Sequence, residues 1–109
     1  MIICGVDAGG TNTKCALINK KGVLLAESKT GPGNCQVTDI SNVIQEIKKA
    51  LNVVCKKVGI NEIDILGIGM AEIGCQEDIR RVKNNLLPLS QVGNCFITFF
   101  LTNLKKPKL

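Results

Sequence analysis

Hydrophobic and polar positions alternate along this chain in a pattern that changes period several times. Met1-Ile2-Ile3-Cys4-Gly5-Val6 is an apolar run ending in Asp7, and Cys15-Ala16-Leu17-Ile18-Asn19 is a second β-like run beyond a glycine turn. Lys20-Lys21-Gly22 reads as a short turn and Val23-Leu24-Leu25-Ala26-Glu27-Ser28 as a third strand, which makes an antiparallel meander. Residues 29–36 form a loop, because Gly31-Pro32-Gly33 propagates neither regular structure. Ile40, Val43, Ile44, Ile47, Leu51, Val54 and Val58 then recur at spacings of three and four, the stripe of an amphipathic helix. Thr38 or Asp39 can cap its start and Gly59 close it.

Residues 63–70 are almost continuously apolar, which predicts a strand buried on both faces. The small residues Gly67, Gly69, Ala71 and Gly74 around its end predict close approach of the backbone to a neighbour or ligand. A shorter helix is expected from about Gln76 to Leu87, with Ile79, Val82 and Leu86 inward and Pro88 as its stop, then a last strand from Asn94 to Leu101. The order β-β-β-α-β-α-β predicts an α/β fold. Right-handed crossovers make the later strands parallel to the first, in a mixed five-stranded sheet of order 3-2-1-4-5 with two crossover helices. Ligands are expected at the carboxyl end of the first, central strand.

That end carries the candidate chemistry. Gly9 and Gly10 allow backbone conformations closed to other residues, so that successive N–H groups can converge on an anion. Thr11, Asn12 and Thr13 add polar side chains, and Lys14 adds a charge for phosphate. Asp7 is an acceptor-only group suited to Mg²⁺. An ordinary hairpin turn with a polar tip accounts for the same spacing equally well. Asn34, in the following loop, offers a donor and an acceptor to a sugar-like ligand, or simply bonds its own backbone.

Composition narrows the classes. A chain of 109 residues is one domain, expected to span residues 1–101 with a basic, unstructured tail at 102–109. The net charge of +5 is spread over helix faces, turns and the tail residues Lys105, Lys106 and Lys108. Only three aromatic residues are present, all phenylalanines in one apolar run, so nucleic acid is not an expected partner. No apolar run is long enough to cross a bilayer, and no export signal precedes the first strand, so a cytoplasmic protein is expected. Six cysteines without a C-x-x-C pair, and no histidine, argue against common zinc frameworks and exclude histidine catalysis. Buried free thiols are expected instead.

Asp7-Ala8-Gly9-Gly10-Thr11-Asn12-Thr13-Lys14, the hairpin from Lys20 to Ser28, Gly31-Pro32-Gly33-Asn34 and Gly67-Ile68-Gly69-Met70-Ala71 resemble the start of the actin-like ATPase and sugar-kinase superfamily. The branch they resemble is the BadF/BadG/BcrA/BcrD-type ATPases, which include N-acetylglucosamine kinases. The resemblance implies a ribonuclease H-like domain that uses ATP and Mg²⁺. It implies that Asp7 helps hold the metal, that Gly9, Gly10 and Thr11 receive the nucleotide phosphates, and that Asn34 touches an amino sugar. The family's catalytic Asp follows the fifth strand. Here that place reads Leu101-Thr102-Asn103-Leu104-Lys105-Lys106-Pro107, with no carboxylate, so no catalytic residue is assigned. The expectation is a truncated domain, not competent alone, whose cleft is completed by self-association or a second domain. The alternative is a non-enzymatic remnant or interaction domain that keeps only the fold.

Overall fold

Cys4, Val6 and Ala8 alternate with Gly5 and Asp7 along the first strand, and that alternation divides the whole sheet into a packed face and a bare one. The computed structural model describes residues 1–33, 39–70, 76–86 and 92–99. In chain order these form β1 (Ile2–Ala8), β2 (Thr13–Asn19), β3 (Leu24–Thr30), α1 (Ile40–Val58), β4 (Ile63–Met70), α2 (Gln76–Leu86) and β5 (Val92–Phe99). The sheet order is β3-β2-β1-β4-β5. β2 runs antiparallel to both β1 and β3, whereas β4 is parallel to β1 and β5 to β4. The expected order β3-β2-β1-β4 is therefore present, with β1 in the interior. Asn34, Thr38, residues 71–74 and the tail at 102–109 lie outside the described residues, as does the side chain of Ile79.

The packed face is one core. Cys4, Val6, Ala8, Cys15, Leu17, Leu66, Ile68 and Met70 meet Val43, Ile44, Ile47, Leu51 and Val54 of α1. α1 begins at Asp39, whose carboxylate accepts the Asn42 N–H at 3.0 Å, and so satisfies one of the amides a helix start leaves unpaired. It ends at Gly59 with φ 78°, a left-handed conformation that a side chain would strain. The N–H groups of Gly59 and Ile60 both close on the Cys55 carbonyl. α2 buries Val82 and Leu86 and meets α1 where Arg81 Nη2 donates to Ser41 Oγ at 3.2 Å.

Three expectations change. β2 begins at Thr13 rather than Cys15, because Thr13 and Lys14 pair with both Ala8 and Asp7 of β1 and Thr30 and Lys29 of β3. β3 runs from Leu24 to Thr30 and takes in two residues expected in the loop. Its Ser28 and Thr30 hydroxyls donate to the Ala50 and Glu46 carbonyls of α1 at 2.9 and 3.1 Å, replacing apolar contacts with hydrogen bonds. β4 is buried unevenly: Leu66, Ile68 and Met70 are covered on the packed face, and on the other face Ile63 and Gly69 are buried while Ile65 and Gly67 are half-buried. Among the described residues, no helix is long and apolar enough to cross a membrane.

Candidate functional site

The strand register brings Gly69, Asp7, Lys14 and Lys29 side by side across β4, β1, β2 and β3 on the bare face. One step inward, Gly67, Gly5, Ala16 and Glu27 form the next row. Together they line an open groove of about 860 Å³. Its floor is low because it is made of small residues, and a Cβ on Gly5 or Gly67 would meet nothing within 4 Å. Of the close approach expected at Gly67, to a neighbour or to a ligand, no neighbour is found among the described residues, and the glycine opens onto the groove.

Asp7 is exposed at the carboxyl end of β1, and among the described residues its carboxylate makes no hydrogen bond or ion pair. The turn from Gly9 to Asn12 stands beside it. Its glycines work differently from the expectation, since among the described residues only Gly22 and Gly59 have positive φ. Gly9 is needed for closeness, because a Cβ there would lie 3.2 Å from the Asn12 carbonyl oxygen. Its N–H also points inward and donates to that oxygen at 3.0 Å, so Gly9 does not present an amide to a ligand. The N–H groups of Gly10, Thr11 and Asn12 bond to nothing among the described residues. The Thr11 hydroxyl accepts weakly from Asn12 Nδ2 at 3.3 Å.

Thr13 is fully buried, and its hydroxyl donates to the Gly31 carbonyl at 2.9 Å, which commits that proton to the scaffold. The Gly33 N–H donates to the Gly9 carbonyl at 2.9 Å, so the loop 31–33 backs directly onto the turn. Gly33 has no room for a side chain: a Cβ would sit 2.5 Å from Thr13 Oγ1 and 2.9 Å from Ala8 Cα. From α1, Glu46 Oε1 accepts the Gly31 N–H at 2.6 Å, and Oε2 pairs with Lys49 at 3.0 Å. Lys49, then the Gly31 amide, hold the Glu46 carboxyl below its ordinary range against the opposing effect of burial.

Sequence reasoning placed Asp7, Gly10, Thr11, Asn12 and Lys14 near one another, and they do gather at one end of the sheet. It missed Lys29, Gly33 and Glu46. Lys29 was legible in principle, since Glu27 and Lys29 alternate with Ser28 and Thr30 once the strand is carried to Thr30. Glu46 carried no local signal: its partner Gly31 is 15 residues away and meets it only through packing.

Residues 4–88 match the family model of the BadF/BadG/BcrA/BcrD ATPase family. The chain belongs to that family. Among solved structures it is similar to a Chromobacterium violaceum protein assigned as an N-acetylglucosamine kinase, with a TM-score of 0.73, 18% identity, and coverage of 94% of this chain and 37% of that one. It is also similar to YeaZ from Pseudomonas aeruginosa, with a TM-score of 0.50, 12% identity, and coverage of 95% of this chain and 45% of that one. At these identities the likeness is one of fold, and the chain spans less than half the length of either structure. None of the curated proteins compared matches it.

Proposed function

We propose that this member of the BadF/BadG/BcrA/BcrD ATPases forms the phosphate- and metal-binding side of an ATP site, on a ribonuclease H-like domain of the sugar-kinase type. One observation carries the reading. Three amides, at Gly10, Thr11 and Asn12, are unengaged among the described residues and adjoin a row in which Asp7 stands beside Lys14, and Lys14 beside Lys29. The amides and the two ammonium groups suit the anionic oxygens of a triphosphate.

Mg²⁺ is usually held by one or two carboxylates, with water and phosphate oxygens completing its shell. Asp7, exposed and without a competing partner among the described residues, fits that role. Bound there, the ion would neutralise charge on the phosphate oxygens. The remaining work falls to the chain itself. Its amides orient the phosphates, and the Gly31–Gly33 loop holds the turn in shape from behind. The sugar acceptor, an amino sugar by analogy with the N-acetylglucosamine kinase, would be touched by Asn34.

Thermal unfolding with ATP, with and without Mg²⁺, tests the reading. A ligand that binds only the folded chain stabilises it by about 2.7 kcal/mol at one hundred times Kd. Asp7→Asn should abolish the part of the shift that needs Mg²⁺ and leave the metal-free part in place. Thr11→Ala should weaken both by about 0.5–1.5 kcal/mol, the usual net worth of one neutral hydrogen bond. Gly10→Val should cost more, because it crowds the anion. If these three variants, each folded, bind like the parent chain, the turn is an ordinary hairpin and the reading fails.

A further inference from the structure

We propose that Cys4 and Cys15 form an oxidation site, a buried dithiol that a peroxide converts to a reversible disulfide linking β1 to β2. The two sulfurs lie 3.1 Å apart, and both side chains are buried, at 0% and 3% exposure. They sit on the same face of the sheet at diagonal positions of the antiparallel pair, where Cys4 is opposite Leu17 and Cys15 opposite Val6. Neither is in a disulfide. Among the described residues no group of three or more potential ligands stands ready for a metal, so metal binding does not account for the pair.

The two thiols are not equivalent. The hydrogen bond with Cys4 holds the Cys15 thiol below its ordinary value against the effect of burial. The same bond, with burial and the charge on Cys15, pushes Cys4 upward, so Cys4 keeps its proton. Cys15 is assigned as the attacking thiol and Cys4 as the resolving one, an order that the single variants test.

Its sulfur attacks one oxygen of hydrogen peroxide, and the O–O bond breaks. The departing hydroxide takes a proton to give water, and Cys15 becomes a sulfenic acid. The Cys4 sulfur then attacks the Cys15 sulfur and the S–O bond breaks. The second hydroxide leaves as water with the Cys4 proton. Two thiols and one peroxide give one disulfide and two waters, with two electrons passing from sulfur to oxygen. The sulfurs are already 3.1 Å apart, and because diagonal cross-strand positions are wide for a disulfide, closing the bond requires the two strands to shift towards each other.

The test treats the purified chain with graded hydrogen peroxide, blocks remaining thiols with N-ethylmaleimide in denaturant, and maps the peptides by mass spectrometry. The expected first product joins Cys4 to Cys15, consumes two of the six thiols and reverts with dithiothreitol. In Cys4→Ala the sulfenic acid on Cys15 should persist and be trapped by dimedone. In Cys15→Ala the oxidation of Cys4 should slow by at least about tenfold, since the more acidic thiol is gone. Cys55, whose thiol is pushed up by burial and then by the charge on Cys15, is the internal competitor. A first product joining Cys15 to Cys55, links between chains, or Cys4 and Cys15 left reduced while the other cysteines oxidise would each overturn the proposal. So would equal formation of the Cys4–Cys15 link in chain unfolded by urea. The parent-chain mapping decides the matter even if a variant fails to fold.

Discussion

At Gly33 the space for a single methyl group decides whether the turn and its supporting loop can coexist. A Cβ there would overlap both Thr13 Oγ1 and the Ala8 backbone, and neither is the free end of a flexible side chain. Gly33→Ala should therefore destabilise the fold by about 1–3 kcal/mol, the usual range for overpacking. Gly67→Ala is the matched control, since its Cβ would enter open groove. It should be neutral or stabilise by up to about 1 kcal/mol, because alanine has less chain entropy to lose in a strand. Urea unfolding of the two variants checks both, and equal losses would show that crowding at Gly33 is not what matters. The sequence marks Gly67 for a close approach and Gly33 only as a loop glycine, whereas the packing crowds Gly33 and leaves Gly67 open.

At the scale of elements, α1 does more than cover the sheet. Its Glu46 reaches the Gly31 amide, and its Glu46 and Ala50 carbonyls receive the β3 hydroxyls, so hydrogen bonds tie helix, strand and loop together. Removing the carboxylate with Glu46→Ala should cost about 1.5–3 kcal/mol, as for hydrogen bonds to charged groups, and should speed hydrogen exchange at Gly31 and Gly33. The sign of its pH dependence follows from the lowered folded value. A carboxyl depressed in the folded state stabilises fully above the unfolded value, about pH 4.3, and loses that contribution as the pH falls through the folded value. The parent chain should thus lose stability more steeply than Glu46→Gln on acidification below about pH 4.3, by denaturant midpoint at successive pH values. Identical slopes would mean that the charge of Glu46 contributes nothing. The start of the same helix offers a simpler check, in which Asp39→Ala should cost about 1 kcal/mol by loss of the cap.

For the whole molecule, one face of the sheet holds the core and the other is open, and the proposed phosphate and metal site lies on the open one. Truncation in the packed layer, Leu51→Ala for example, should cost about 2–5 kcal/mol, because this side chain is 1% exposed and surrounded by strand residues. The same kind of change on the bare face, Lys29→Ala, should leave the unfolding midpoint almost unchanged and reduce the stabilisation by ATP. Calorimetry on the two variants separates the layers. A large stability loss in Lys29→Ala would show that the open face is structural after all.

The sequence by itself determined the elements, the interior position of β1 and the residues of the turn. Each of these rests on short-range physics: period-two and period-3.6 patterning, a polar cap at Thr38 or Asp39, a helix stop at Gly59 and a glycine pair after an apolar strand. It also carried the family through Asp7 to Lys14, whose chemistry is local to one stretch. Tertiary structure alone decided which of those polar groups are free. Gly9 and Thr13 look like ligand donors in the chain, yet their N–H and hydroxyl are taken by Asn12 and Gly31. Lys29 joins Asp7 only through the register of three strands, Glu46 reaches Gly31 only by helix packing, and Cys4 meets Cys15 only across a ladder. The physical reason is that a hydrogen bond is made by whichever partner is nearest in space, and for these groups that partner is set by the register and packing of separate elements.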